Sequence, residues 1–348
     1  MNQRVTLFLV KAFLVSLPVT VLLCVYVLSD PFKVLYVYPS YYTSGVPGYI
    51  PCNRDFVSTE TFRRHYPANQ YDSFIIGNSR SLFYEVKDWQ RHIQSTRCFH
   101  FDASAESLYG IGAKFRYLDR LGVGITNALV LLDYSTLVVT TNSAGHLLRK
   151  HPVLSGEHFW NFQLVYLKAF LNGKFLAAYL HFRLTGQVHE YMVKDDLIDN
   201  RAWDYELDSN EIKAGNSEAM IATNASFYYN ARRELLYPRS AVESWSPPAV
   251  GAPQKALLSE IHGILEKQKS NYRIVINPLY DQKKINPDDL NYLQNLFGRD
   301  RVFDFSGINK FTQSHTNYYE SSHYRPPVAR EIMNIIYDRE TGHMSAAN

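Results

Sequence analysis

The sequence predicts an α/β domain, a parallel sheet with helices on its faces, set behind one hydrophobic helix at the N-terminus. Three observations predict it. Apolar runs of strand length alternate with segments of helical period. The run Ala128 to Leu132 is apolar at every position, as a strand covered on both faces requires. The stretch Ala12 to Leu28 carries no charge.

That N-terminal stretch is extended backwards by Val5 to Val10 across a single Lys11. A spanning helix needs roughly 20 apolar residues. The run reaches that length when the Lys11 stem carries its ammonium to the headgroups. Pro18 lies mid-span, where membranes tolerate a kink. A cleaved signal peptide would end in small residues of the A-x-A kind, whereas this run ends Val27-Leu28-Ser29-Asp30-Pro31. Leu22 and Leu23 before Cys24 also differ from the small residues of a lipoprotein site. Residues 1–30 are therefore read as a cytoplasmic tip and an uncleaved transmembrane anchor. Arg4 and Lys11 precede the span, which places the N-terminus in the cytoplasm and the main domain outside it.

Residues 31–70 read as an irregular lead-in, rich in Tyr, Pro and Gly, without a clear period. Asp72 to Gly77 is a short strand closed by glycine. Leu82, Val86, Trp89 and Ile93 then follow on one helical face. Cys98 to Phe101 is a second strand, and Leu108, Ile111, Phe115 and Leu118 mark a second helix. Gly110 and Gly112 are read as helix packing, Gly122-x-Gly124 as the end of that helix. Residues 136–253 form an expected insertion, helical over Phe159 to Leu180 and loop over Asp195 to Asn224. The alternation resumes with a helix at Leu257 to Leu265 and a strand over Arg273 to Pro278. A helix at Leu290 to Leu296 and a strand over Arg301 to Asp304 follow. A last helix through Val328, Ile332 and Ile335 is started by Pro326 and Pro327. The domain is expected over 71–340, with a tail at 341–348.

In parallel sheets, sites lie beyond the carboxyl ends of the strands. The first strand ends in Gly77-Asn78-Ser79-Arg80-Ser81, at the start of a helix. Ser79 there would stand among outward-pointing N–H groups able to hold an oxyanion. Its hydroxyl needs a base to become a nucleophile. On spacing alone, Ser79 or Ser81 as a helix cap is the favoured reading. The loop before the last helix supplies Glu320 and His323, three apart. A carboxylate on one ring nitrogen fixes the tautomer and frees the other nitrogen for the serine proton.

With these residues in place, the chain resembles the SGNH (GDSL) hydrolase superfamily. Gly77-Asn78-Ser79 stands at its nucleophile block and Glu320-x-x-His323 at its acid–base block. The likeness is closest to membrane-anchored DltD-like and alginate-acetylation-type SGNH proteins. It covers roughly residues 70–135 and 255–340. The resemblance implies Ser79 as nucleophile, His323 as base and Glu320 as the orienting acid. It implies a flavodoxin-like three-layer α/β/α sandwich, with a helical insertion and one N-terminal transmembrane helix. It also implies O-acyl transfer or ester hydrolysis on an envelope polysaccharide or polymer, beside a membrane-bound O-acyltransferase partner. The setting is that of a single-pass inner-membrane protein with a periplasmic domain. Three positions depart from the family pattern. Its acid is usually Asp, here Glu320. Its second block supplies a glycine N–H, here that of Ala105. Its third block holds an amide-donating Asn, here Asp133, which accepts when ionised and donates only when protonated.

Other constellations point elsewhere or nowhere. Arg80 is either a contact for an anionic substrate or a solvated cation, and Tyr280 and Asp281 stand where a cleft would be. His146, His151 and His158 lack metal-ligand spacing, so no metal and no cofactor is expected. Net charge is +3 with acids and bases mixed, and no basic stripe suits nucleic acid. Cys52 and Cys98 either pair in an oxidising compartment or stay separate thiols. They form no C-x-x-C redox motif. The 26 Tyr and 20 Phe fit core packing and also stacking on sugars. A non-catalytic module binding polysaccharide through its tyrosines, or scaffolding an envelope complex, is the alternative function. A third reading is a structural anchor whose Ser79 only caps a helix.

Overall fold

The computed structural model describes residues 3–338. The expected tail at 341–348 lies outside the described residues. The main elements, in chain order, are α1 (Gln3–Ser29), α2 (Arg54–Asn69), β1 (Ser73–Ile76), β2 (Cys98–His100), α3 (Leu108–Arg120) and β3 (Asn127–Leu132). After them come α4 (Phe159–Phe170), α5 (Gly173–Thr185), α6 (Ala252–Lys267), β4 (Asn271–Ile276), α7 (Pro287–Phe297), β5 (Val302–Asp304) and α8 (Pro326–Asp338).

Helix α1 has 27 residues, about 40 Å at 1.5 Å each. It is long and apolar enough to cross a membrane, and Pro18 lies inside it. The chain divides into two compact units. The smaller holds the chain up to Tyr41, Pro47–Cys52 and Glu157–Arg201. Part of the segment expected as an insertion thus belongs with the N-terminal helix. Asp30 ends that helix by accepting the N–H groups of Val34 and Leu35 at 2.9 and 3.0 Å. The turn carries Phe32 onto Tyr166 and Phe175, with ring centroids 5.7 and 4.9 Å away.

The larger unit holds Tyr42–Val46, Asn53–Gly156 and the chain from Ala202 onward. Its five-stranded sheet has the order β2-β1-β3-β4-β5, every pair parallel. Alternate residues of the strands face opposite cores. Phe74, Ile76, Ala128 and Val130 pack with Leu108, Ile111, Leu258 and Ile261 of α3 and α6. Ile75, Leu129, Leu131 and Val275 pack with Trp89, Val328, Ile332 and Met333. Helices therefore cover both faces.

Four local expectations are corrected. Residues 54–69 are helix, not irregular lead-in. The helix buries Arg54, Asp55, Ser58 and Thr59 beside Phe56 and Phe62, so its inner face has no apolar period to read. The helix expected through Leu82 and Ile93 breaks into a 3₁₀ turn, Ser79–Phe83, and a short helix, Val86–Trp89. The buried Glu211 carboxylate accepts the Val86 N–H at 2.7 Å and starts the chain afresh there. The helix over Phe159 to Leu180 is two helices, because Asn172 caps α5 by accepting the Lys174 and Phe175 N–H groups. Residues 195–224 are not all loop. They contain the ribbon Asp204–Glu206 with Glu211–Lys213 and the start of a helix at Gly215. Cys52 and Cys98 are both free thiols.

Gly77, directly after β1, lies close against Leu131 of β3. A Cβ there would lie 2.8 Å from Leu131 Cβ and 3.3 Å from the Leu131 carbonyl oxygen. Gly77→Ala is expected to cost about 1–3 kcal/mol through strand displacement. Urea unfolding measures it, and an unchanged midpoint would show that the strands give way freely.

Candidate functional site

The chain runs from β1 outward to β2 and then returns across to β3, so β1 and β3 flank the point where strand order reverses. Crevices in open α/β sheets form there. Ser79 leaves the end of β1, and Asp133 leaves the end of β3.

Asn78 caps the 3₁₀ turn. Its side-chain oxygen accepts the Arg80 N–H at 3.0 Å, and its carbonyl accepts the Ser81 hydroxyl at 2.7 Å. Ser81 is thereby the serine engaged with the turn, and the Ser79 hydroxyl is left for another partner. That partner is His323, whose Nε2 lies 2.8 Å from Ser79 Oγ. His323 Nδ1 in turn bonds Glu320 Oε1. Glu320 and His323 face each other across a tight antiparallel ribbon, Tyr318–Glu320 with His323–Tyr324. The Ser322 N–H donates to Glu320 Oε2 at 2.6 Å. The Phe83 ring lies edge-on to the imidazole at 5.7 Å.

Partial burial alone would raise the Glu320 pKa. The hydrogen bond and charge of His323, with the Ser322 N–H, outweigh it and hold the carboxyl below its ordinary value. A depressed carboxylate contributes stability that is present above its unfolded value, near 4.5, and lost as pH falls through the folded value. Glu320→Gln is therefore expected to flatten the decline of thermal stability below about pH 4.5. An identical acid limb in the wild type and the variant would remove Glu320 from the pair.

Asp133 is the hub beside Ser79. It is 1% exposed. Its Oδ2 accepts from Asn78 Nδ2 and Arg80 Nη1, each at 2.8 Å, and from Asn277 Nδ2 at 3.4 Å. Its Oδ1 accepts from the Ser135 hydroxyl and the Thr136 N–H. Desolvation would raise its pKa, but Arg80, Ser135 and Asn78 outweigh that and hold it low. Asp133 is thus ionised and fully engaged as an acceptor. It anchors the two residues flanking Ser79, Asn78 and Arg80.

Arg80 is not a free cation. Besides Asp133 it donates from Nε to the Ser322 carbonyl at 2.9 Å, fastening the Ser79 turn to the loop of His323. A second tie runs from Asp133 through Asn277, whose Oδ1 accepts the Tyr324 hydroxyl at 2.9 Å. Asn78, Asn277 and Tyr324 had no role in the sequence reading. Two of them could be found there: Asn277 directly follows β4 and lines the cavity beside Arg80, and Tyr324 directly follows His323.

Ala105 lies in the loop after β2 and adopts φ +43°, in the left-handed region. The loop is tied to the Ser79 turn by the Ala103 N–H, which donates to the Gly77 carbonyl at 3.2 Å. Buried ion pairs frame it. Asp102 pairs with Arg54 through Nε at 2.8 Å. Glu106 meets the fully buried Lys114 and, at 2.6 Å, Lys150. Among the described residues, neither the Ser79 nor the Ala105 N–H meets an acceptor.

A cavity of about 230 Å³ opens beside Arg80 and Asp133. Tyr134, Ile276, Leu279 and Ile285 give it apolar walls, and Asp281 and Lys283 also line it. Tyr280 instead lines a separate open groove of about 700 Å³ with Tyr229, Tyr237, Arg233, Arg239 and His315. Among the described residues, no three His, Cys, Asp or Glu side chains converge as metal ligands would. The structure thus brings Ser79, His323 and Glu320 into one hydrogen-bonded chain and places Arg80 and Asp133 against it. This arrangement defines a serine–histidine–carboxylate site on a parallel α/β sheet. No protein-family model and no curated protein matches the chain.

Proposed function

We propose that the chain is a membrane-anchored, extracytoplasmic O-acyltransferase or esterase of SGNH type, acting on an envelope glycan or polymer through an acyl-serine. The observation that carries this reading is the continuous bonding from Ser79 Oγ through His323 to Glu320. The strand order, with the flavodoxin-like pattern of central β1 and β3, supports the SGNH assignment.

The chemistry follows from the atoms. His323 Nε2 takes the Ser79 proton as Oγ bonds to the acyl carbonyl carbon. Glu320 holds the imidazolium that forms. The N–H groups of Ser79 and Ala105 receive the oxyanion. As the tetrahedral centre collapses, His323 returns the proton to the departing alkoxide and acyl-Ser79 remains. A sugar hydroxyl or water then gives its proton to His323 and bonds to the acyl carbon, and as the bond from that carbon to Oγ breaks His323 returns the proton to Ser79. The apolar cavity beside Arg80 suits the acyl group, and the tyrosine-lined groove suits a glycan chain. Helix α1 fits a cytoplasmic N-terminus, an inner-membrane span and a periplasmic domain. A membrane-bound O-acyltransferase is the partner such an arrangement serves.

A fluorophosphonate probe tests the reading. It is expected to modify Ser79 in folded protein and to leave Ser79→Ala unmodified. A folded wild type that stays unlabelled sinks it. The tyrosine groove favours a second reading, a non-catalytic glycan-binding module. Glycan retention with no labelling would select that one.

A further inference from the structure

Helix α4 is apolar on two sides. Phe162, Tyr166 and Phe170 are buried inward. On the other side, Trp160, Leu164 and Leu171 recur at helical spacing and are 67%, 50% and 44% exposed. Phe159 beside them is 50% exposed, and Leu184 at the end of α5 is 86% exposed. A helix apolar all round belongs in a core or in lipid. At 12 residues α4 is about 18 Å long, too short to cross a hydrocarbon core of roughly 30 Å.

Two further observations say what covers this face. From Phe159 to Thr185 the chain has no carboxylate. Its cations are Lys168, Lys174 and Arg183, of which Lys174 also meets Asp195 at 3.2 Å. The hairpin is also fastened to the end of the apolar anchor. Tyr26, in the last turns of α1, packs on Phe170 with ring centroids 5.2 Å apart. Gln163 donates to the Val34 carbonyl at 2.9 Å. Helix α4 therefore sits where α1 leaves the hydrocarbon, at the level that Trp and Phe side chains favour.

We propose that the α4–α5 hairpin is an interfacial foot that lies on the bilayer. Phe159, Trp160 and Leu164 enter the acyl boundary, and Lys168 and Arg183 meet anionic headgroups. The proposal rests on α1 spanning the membrane and is independent of the acyl-transfer reading.

The test uses the full chain in nanodiscs of phosphatidylcholine and phosphatidylglycerol, with plain or chain-brominated lipids. The Trp160 signal is the emission difference between the wild type and Trp160→Phe, with near-UV circular dichroism confirming that both fold alike. Brominated lipid is expected to quench this signal about twofold or more. A Trp160 signal equally bright in both lipids overturns the proposal. If copies also cross-link through α4, the face belongs to a second copy of the chain. Failure of α1 itself is distinguishable, because the protein would then not co-purify with the discs.

Discussion

Ser79→Ala is expected to lower kcat/KM for an activated acyl ester by about four orders of magnitude or more, with the fold intact. The Ser79 hydroxyl bonds His323 and no other described group, and the residue is half-buried at a turn that Asn78 and Ser81 maintain. Its removal takes away the proposed nucleophile and little of the packing. His323→Ala is expected to cost about as much, and the double variant scarcely more, since both act in one proton transfer. The measurement is ester hydrolysis by each variant alongside its melting temperature. Near-wild-type turnover by a folded Ser79→Ala protein would falsify the acyl-serine mechanism.

Asp133→Ala is expected to destabilise the domain by about 3 kcal/mol or more. The carboxylate is buried and takes hydrogen bonds from Asn78, Arg80, Asn277, Ser135 and Thr136. Its loss leaves a mostly buried guanidinium without its carboxylate and an amide with only Thr136 Oγ1 to receive it. Adding Arg80→Met removes the unpaired cation and is expected to restore part of the stability. Denaturant titration of the three proteins gives the comparison. A loss below about 0.5 kcal/mol would mean that water readily replaces the hub.

The strands were legible because each is a short apolar run, and β3 and β4 are covered on both faces. The grouping of Ser79, His323 and Glu320 was legible because the three sit at strand and loop ends with complementary side-chain chemistry. What was not legible has a common physical cause: polar groups turned inward. Helix α2 hides because Arg54 and Asp55 occupy its buried face, paired with Asp102 and with Lys114 and Lys150. The break after Phe83 depends on Glu211, distant in sequence. The engagement of Asp133 and Arg80 depends on Asn277 and on the Ser322 carbonyl. In each case a side chain that reads as exposed is satisfied by a partner that no local pattern announces.

The ribbon that carries Glu320 and His323 has a geometric consequence. The two residues are paired directly across one tight turn, so their mutual placement is fixed locally, by that turn alone. The site then consists of two parts, this turn and the serine turn, and only their separation has to be set. Arg80 sets it from one side and the Asn277–Tyr324 contact from the other. The distance from Ser79 to His323 is thus a tertiary property, held by contacts at two points rather than by either turn itself.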